Sequence, residues 1–379
     1  MLHRQKMKPH LGRIGLDIGS HTINAVEVIE RGPETIIRSA GSVAIPTSGR
    51  SESIEPGAVT QAIKSLWVSA GFRSRQVVVA LPPEAVYLKW LHLEAADEAE
   101  LARTAKAAAA RGAPFPANDA VVDYRVLLSR GTVSSNVHLV MLVAASAKAI
   151  DNLLNTVEAA GLEPVAVDIG PAAALRTLTI HRAAGGPLWS GQPLAHCIIG
   201  ARSTTIAVMR GSALEFVRTV PVGGNDFTQC IAESAGLAWN EAERAKTGPG
   251  VRMMDGWMLL ANHGGEQLRV PCEPAVGRLA REALRSLRFF RSQFAEGSYL
   301  GMIGAATLSG GGALLKGLEV CLREQGIEVT GVVNPFAGIS VEAEGAGVQH
   351  VGDSAPAYTT AVGLAIGDYA SAEQVAAAA

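Results

Sequence analysis

The chain has little charge of either sign and no long hydrophobic run. Charged residues make up 18% of its 379 positions, and the formal net charge is −2. No extended basic or acidic block occurs, so the electrostatic footprint of a nucleic-acid binder is missing. The longest apolar stretch, Val137 to Ala147, is about half of the roughly 20 residues that a spanning helix needs, and it reads as a buried strand. Cysteine is scarce and scattered. Cys197, Cys230, Cys272 and Cys321 show no metal-ligand spacing and read as small apolar thiols of a reducing compartment. The start of the chain has no signal-peptide pattern, and its brief basic stretch at 3–10 reads as a frayed end. A cytoplasmic protein is the expectation.

What is present is apolar mass: 48% of the residues are hydrophobic. The length exceeds one ordinary core and suits two domains or one large two-lobed α/β fold. Three strand-like runs open the chain, Arg13–Gly19, Thr22–Ile29 and Glu34–Ile45. A helix follows over Pro56–Gly71, with Val59, Ile63, Leu66 and Trp67 on one face, and then a strand, Val77–Leu81. From Pro82 to about Pro164 the pattern changes. A strand at Val86–Leu93, a helix at Asp97–Arg111, a strand pair at Val121–Leu128 and Val137–Ala145, and a helix at Ala147–Ala160 read as a compact insertion.

The opening grammar then recurs about 180 residues on, with strands at Leu194–Gly200, Ile206–Met209 and Ala213–Pro221, which predicts duplicated lobes. Residues 249–271 are irregular and receive no assignment. Ala275–Phe294 reads as a long helix, and a second helix is expected over Ala313–Gln325. The Ala-rich tail after Asp368 reads as a flexible end without the faces of a membrane anchor. The expected domains are 1–82, 83–164 and 165–379, with an adenosine-binding part at 245–305.

Three turns carry chemistry. Asp17, Gly19, Ser20, His21 and Thr22 join two strands in a hairpin able to aim backbone N–H groups and hydroxyls at a phosphate, with Asp17 placed to hold a magnesium ion through water. The same residues also suit an ordinary Asx-type turn. Gly200, Arg202, Ser203, Thr204 and Thr205 repeat the arrangement in the second lobe, where a plain polar turn is the alternative. Ser309 leads into Gly310, Gly311 and Gly312, which let a flat ring or a phosphate approach a helix start; a tight ligand-free connection is the competing explanation. On the preceding helix Glu282 and Arg285 share a face and could grip a ribose and an adenine edge, or form a solvated ion pair.

That order of motifs resembles the actin, sugar-kinase and heat-shock-chaperone ATPase superfamily, a duplicated ribonuclease H-like fold. Finer features resemble the PilM family of type IV pilus assembly, related to the division protein FtsA. The resembling segments are IGLDIGSHTINAVEV at 14–28, FPANDAVVDYRVL at 115–127, VPVGGNDFTQCIAESAGLAWNEAERAK at 220–246, SLRFFRSQF at 286–294, LSGGGALLKGLEVCLREQGIEVTGVVNPFAGI at 308–339 and YTTAVGLAIG at 358–367. The resemblance implies an FtsA/PilM-type inserted subdomain in the first lobe and binding of ATP or ADP with magnesium. It also implies capture of the cytoplasmic N-terminal peptide of a PilN-like membrane protein, so that the chain reaches the inner membrane only through partners.

Three departures bear on mechanism. Asn24 stands where the superfamily has a phosphate-contacting Lys, Ile198 where the second loop has an Asp, and Gly170 where the connecting helix starts with an acid. Phosphoryl transfer is mostly positioning and electrostatics, so weak or absent hydrolysis is expected and no catalytic residue is assigned. The candidate peptide groove lies between the first lobe and the insertion, lined from Val86 to Leu93 and by Phe115 and Tyr124, residues that equally suit a domain core. The competing readings are a self-associating FtsA-like filament protein and a true ATPase or kinase using Asp168, Asp226 or Asp255.

Overall fold

Two sheets built on one plan dominate the computed structural model, which describes residues 12–31, 34–46, 55–131, 136–183, 192–295, 298–342 and 351–369. β1 (Arg13–Ile18), β2 (Thr22–Arg31) and β3 (Glu34–Ala44) form an antiparallel meander. Helix α1 (Pro56–Ala70) then returns the chain to β4 (Gln76–Leu81), parallel to β1. One face of this sheet, with Ile14, Leu16, Ile23, Val77 and Val79, packs on Ile63 and Leu66 of α1. The other face is covered as well, and this explains the unbroken apolar run of β4.

The insertion leaves the sheet at the end of β4. It consists of β5 (Val86–Glu94), α2 (Glu98–Gly112), β6 (Ala120–Gly131) and β7 (Asn136–Ser146), in sheet order β5-β7-β6. The Asp97 side chain caps α2 by accepting from the Glu100 N–H at 2.7 Å. Leu101, Ala105 and Ala109 of α2 bury against Leu93, Val140 and Leu142.

The boundary expected at 164/165 differs from the packing after β7. Helix α3 (Ala147–Ala159) buries Val157 in the first-lobe core beside Val77 and Ile63, so it does not close the insertion. The next strand, β8 (Glu163–Ile169), pairs parallel with β4 and forms an edge of the first sheet. Pro164 is tolerated there because an edge strand leaves one ladder unfilled. Helix α4 (Gly170–Ala183) then connects the lobes: Ala173 sits among Val78, Ala80 and Leu364, while Leu175 and Leu178 pack on Ala207 and Met209.

The second lobe repeats the meander with β9 (Leu194–Ile199), β10 (Thr204–Arg210) and β11 (Ala213–Val220). Helices α5 (Gly224–Ala235) and α6 (Trp239–Thr247) follow. The stretch left unassigned from sequence is a three-stranded antiparallel sheet, β12 (Arg252–Met254), β13 (Met258–His263) and β14 (Glu266–Pro271). Helix α7 (Glu273–Arg291) leads to β15 (Ala305–Ser309), which joins β9 in parallel.

The helix expected over Ala313–Gln325 is broken. A 3-10 turn at Gly311–Leu314 precedes α8 (Leu318–Glu324), with Gly317 between them at φ +86. A Cβ on Gly317 would stand 2.9 Å from the Met253 carbonyl oxygen, so close approach to β12 ends the turn. β16 (Val329–Val332) extends the second sheet. β17 (Ser340–Val341) crosses back to β3, and α9 (Thr359–Ala365) lies on the second face of the first sheet against Val26, Val28 and Ile37. The basic stretch at 3–10 and the tail beyond Tyr369 lie outside the described residues.

Candidate functional site

The hairpins β1–β2 and β9–β10 are geometric equivalents. Gly19 N–H donates to the Thr22 carbonyl at 3.0 Å, and Gly200 N–H donates to the Ser203 carbonyl at 2.9 Å. Register then equates Asp17, opposite Asn24, with Ile198, opposite Thr205. The Asp of the first hairpin therefore has an aliphatic counterpart in the second.

Both hairpins line one cavity of about 730 Å³ between the lobes, within the range of small-molecule sites. Of the residues expected at the site, Asp17, Gly19, Ser20, His21, Thr22, Asn24, Gly200, Arg202, Ser203, Thr205, Gly310, Gly311 and Gly312 line it. Thr204 does not. Strand alternation turns it into the core, where its hydroxyl donates to the Val222 carbonyl at 2.7 Å. Glu282 and Arg285 are also absent from the lining: α7 carries Glu282 half-buried and Arg285 exposed, on a helix packed beneath the second lobe.

Their expected place is taken by α6. Glu243 and Lys246, three residues apart, face the cavity with Thr247. Glu243 Oε2 accepts from Lys246 Nζ at 2.7 Å and from the Thr228 hydroxyl at 2.5 Å, and Lys246 also donates to the Gly224 carbonyl at 3.1 Å. Across the cleft, His21 Nε2 lies 3.4 Å from Glu243 Oε1. Burial pushes Glu243 up, but Lys246, Thr228 and His21 outweigh it and hold the carboxyl below its usual range. Burial lowers Lys246 against the pull of Glu243. It also lowers His21, with Glu243 opposing and Lys246 adding to the shift. The signal available in sequence was the Glu-x-x-Lys spacing just before Gly248-Pro249-Gly250.

Other groups on the wall also escaped the sequence reading: Glu84 on the loop after β4, and Lys316, whose Nζ lies 2.5 Å from Asp353 Oδ2. The carboxylates weighed for catalysis lie elsewhere. Asp168 is bound to Arg176 and accepts from the Tyr369 hydroxyl at 2.7 Å. Asp226 pairs with Arg278 at 2.9 Å, and Asp255 is exposed beside β13.

The cavity has the marks of a ligand site. Asn24 is 5% exposed, and its Oδ1 has no hydrogen-bond partner, a costly state for a buried acceptor unless a ligand or ordered water completes it. At Gly310 and Gly312 an added Cβ would strike Ile199, whereas one on Gly311 would meet nothing within 4 Å. Two of the glycines thus serve packing, and the third leaves open wall. Burial drives the Asp17 carboxyl up to about 7. A neighbouring cation would restore its charge, and one carboxylate beside phosphate oxygens is a usual magnesium environment.

The Val86–Leu93 strand divides by alternation. Tyr87, Leu91 and Leu93 face the α2 core together with Phe115 and Tyr124, so these five pack the insertion. Val86, Leu88 and Trp90 occupy the opposite face, where Leu88 is in register with Val143 and Trp90 with Met141. Trp90 Nε1 donates to the Leu214 carbonyl of β11 at 3.0 Å, which fastens the insertion to the second lobe.

Duplicated lobes, facing hairpins and a glycine turn closing the cleft define an actin-like ATPase fold. The chain belongs to the family described as type IV pilus assembly protein PilM, whose model matches residues 15–369. A chain solved in a PilM–PilN type IV pilus biogenesis complex is similar at 29% identity and a TM-score of 0.76, over 94% of this chain and 98% of that one. The ethanolamine utilization protein EutJ of Carboxydothermus hydrogenoformans shares the fold at 16% identity and a TM-score of 0.51, over 95% of this chain and 90% of its own. The cell division protein FtsA of Bacillus subtilis (strain 168) is 34% identical over 105 residues, which are 28% of this chain and 22% of that relative's length. Among the described residues, no helix is long and apolar enough to cross a membrane.

Proposed function

We propose that the chain is a scaffold of a type IV pilus assembly platform that grips the N-terminal peptide of a PilN-like membrane protein and carries a slow nucleotide site. The observation that carries the scaffold reading is the near full-length likeness to a chain solved in a PilM–PilN complex. The second face of the insertion sheet supports a peptide site. Val86, Leu88 and Val143 are half-buried there and Val121 is 50% exposed, an apolar surface continuous with the Trp90 contact.

For the cleft, the orphaned Asn24 acceptor and the open wall at Gly311 support ATP or ADP. The hairpin turns at Gly19 and Gly200 offer backbone N–H groups, with hydroxyls from Ser20, Thr22 and Ser203, and Arg202 adds a cation at the wall. Glu243 and Lys246 hold the sugar and base edge. Asp17 would hold the magnesium of a bound nucleotide, and that cation would keep its carboxyl ionised. Slow turnover follows from Ile198, Asn24 and Gly170 at three positions where oriented charge is each worth on the order of 10²–10³ in rate.

The test is calorimetry of ATP binding with magnesium, then phosphate release on the same sample, and titration with a PilN-like N-terminal peptide. Binding of both with negligible release is expected. Rapid release lost in Asp17→Ala would overturn the slow-site reading, and failure of the peptide to bind a folded chain would overturn the scaffold.

A further inference from the structure

Helix α7 carries five arginines and two glutamates in 19 residues, although the whole chain has a net charge of −2. Its apolar side is already satisfied. Val276, Leu279, Ala283 and Phe290 are buried in the second lobe. The outward side is a stripe: Arg281, Arg285 and Arg288 are exposed and recur at four and three residues, within about 60° of one another around the axis. Arg291, also exposed, extends it toward the C-terminus.

Among the described residues none of these four arginines reaches a carboxylate, whereas Arg278 is paired with Asp226. Glu282 lies about 100° away from Arg281 and is half-buried. Solvated helix faces ordinarily interleave both signs. Here like charges are gathered, a cost that an anionic counterpart removes.

Apolar tips flank the stripe. Phe289 is 54% exposed, with its ring 6.0 Å from that of Phe216, and Leu300 and Met302 are 58% and 37% exposed. The 299–302 segment is held at this end of the helix: Arg210 donates to the Leu300 carbonyl, and Gly301 packs on the Phe294 ring.

We infer that the outer face of α7, with Arg281, Arg285, Arg288 and Phe289, docks directly on an anionic phospholipid bilayer. Guanidinium groups match phosphate bidentately, and protruding aromatic and aliphatic tips enter the headgroup boundary beside them. An acidic protein segment would satisfy the arginines and leave the tips wet; an anionic interface satisfies both. The surface adds a direct contact to the partner-mediated one expected from sequence, and it acts without the partner.

The experiment is co-sedimentation of the purified full chain with phosphatidylcholine vesicles, with and without phosphatidylglycerol, at low and high salt. Binding is expected only to the anionic vesicles, and it is lost at high salt. The triple variant R281Q/R285Q/R288Q weakens it by roughly a hundredfold, the product of about fivefold per basic residue at an anionic surface. Glutamine keeps helix propensity, and an unchanged thermal melt and unchanged ATP and peptide titrations verify the fold. Wild-type protein that ignores anionic vesicles at low salt, or a folded triple variant that binds them equally well, overturns the proposal. So does a stripe that retains only an acidic protein.

Discussion

His21 of the first hairpin and Glu243 of α6 face each other across the cleft, Nε2 to Oε1, at 3.4 Å. The contact joins two lobes through the cavity wall, and the same carboxylate is held by Lys246 and Thr228. A ligand entering the cleft meets this cluster. Glu243→Gln is therefore expected to weaken ATP binding by at least tenfold in calorimetry, because it removes a charge-assisted acceptor worth about 1.5–3 kcal/mol. Glu282→Gln and Arg285→Gln are expected to leave affinity unchanged, since α7 does not line the cavity. Equal losses in all three would return the sugar site to α7.

How legible the site was depended on what marked each element. The two hairpins announce themselves through glycine turns between apolar strands, and the duplicated plan follows from them. Helix α6 does not. In nine residues it buries only Ala242 and Ala245, too weak a stripe to show a period, so nothing local marks Glu243 and Lys246 as site residues. β12 has only three residues, β13 buries three residues in a row instead of alternating, and left-handed Gly256, Gly264 and Gly265 interrupt the run, so no period marks this sheet. Pro164 read as a boundary because its tolerance depends on β8 lying at a sheet edge, a fact of topology rather than of local sequence.

Asp17 makes stability fall as pH rises. Burial raises its folded pKa to about 7 from the usual 3.8, so the folded state keeps a proton that the unfolded chain releases between those values. The ligand-free protein thus loses this contribution progressively from about pH 4 to pH 7. Asp17→Asn is expected to raise the ligand-free melting temperature at pH 8, by at most about 4 kcal/mol in stability and less where cleft water reaches the carboxylate. The same variant should weaken magnesium-dependent nucleotide binding. A melt unchanged between pH 5 and 8 in both proteins would argue against a desolvated carboxyl.

His196 works in the opposite sense. It is fully buried, with Nδ1 2.9 Å from the Thr307 hydroxyl and Nε2 2.8 Å from that of Ser309, so a neutral ring donates once and accepts once. Burial drives its pKa down to about 3. The unfolded chain takes up a proton below about 6.5 and the folded one does not, so stability is lost as pH falls from there toward 3, on the order of 3–5 kcal/mol. His196→Gln is expected to flatten this acid limb in urea titrations while costing about 1–3 kcal/mol at pH 8. An acid limb that persists in the variant would place its origin in other groups.

Trp90 ties the insertion to the second lobe, and the tie gives the two proposed sites a physical connection. Its indole donates to the Leu214 carbonyl, and the ring packs in the cluster of Leu175, Leu178, Met209 and Leu214, on α4 and the strands that follow it. A ligand that draws the lobes together acts on α4 and β11, and hence on the strand that carries Val86 and Leu88. Trp90→Phe should cost about 0.5–1.5 kcal/mol for the lost hydrogen bond and keep the packing. Trp90→Ala should cost more and increase hydrogen exchange across β5 to β7 without exposing β1 or β4. In the wild type, ATP and peptide affinities should then depend on each other by the same factor in both directions, as linkage requires. That factor should approach one in Trp90→Ala and survive in Trp90→Phe. Coupling that persists undiminished in Trp90→Ala would mean that the lobes communicate with the insertion through its connection to β4 instead.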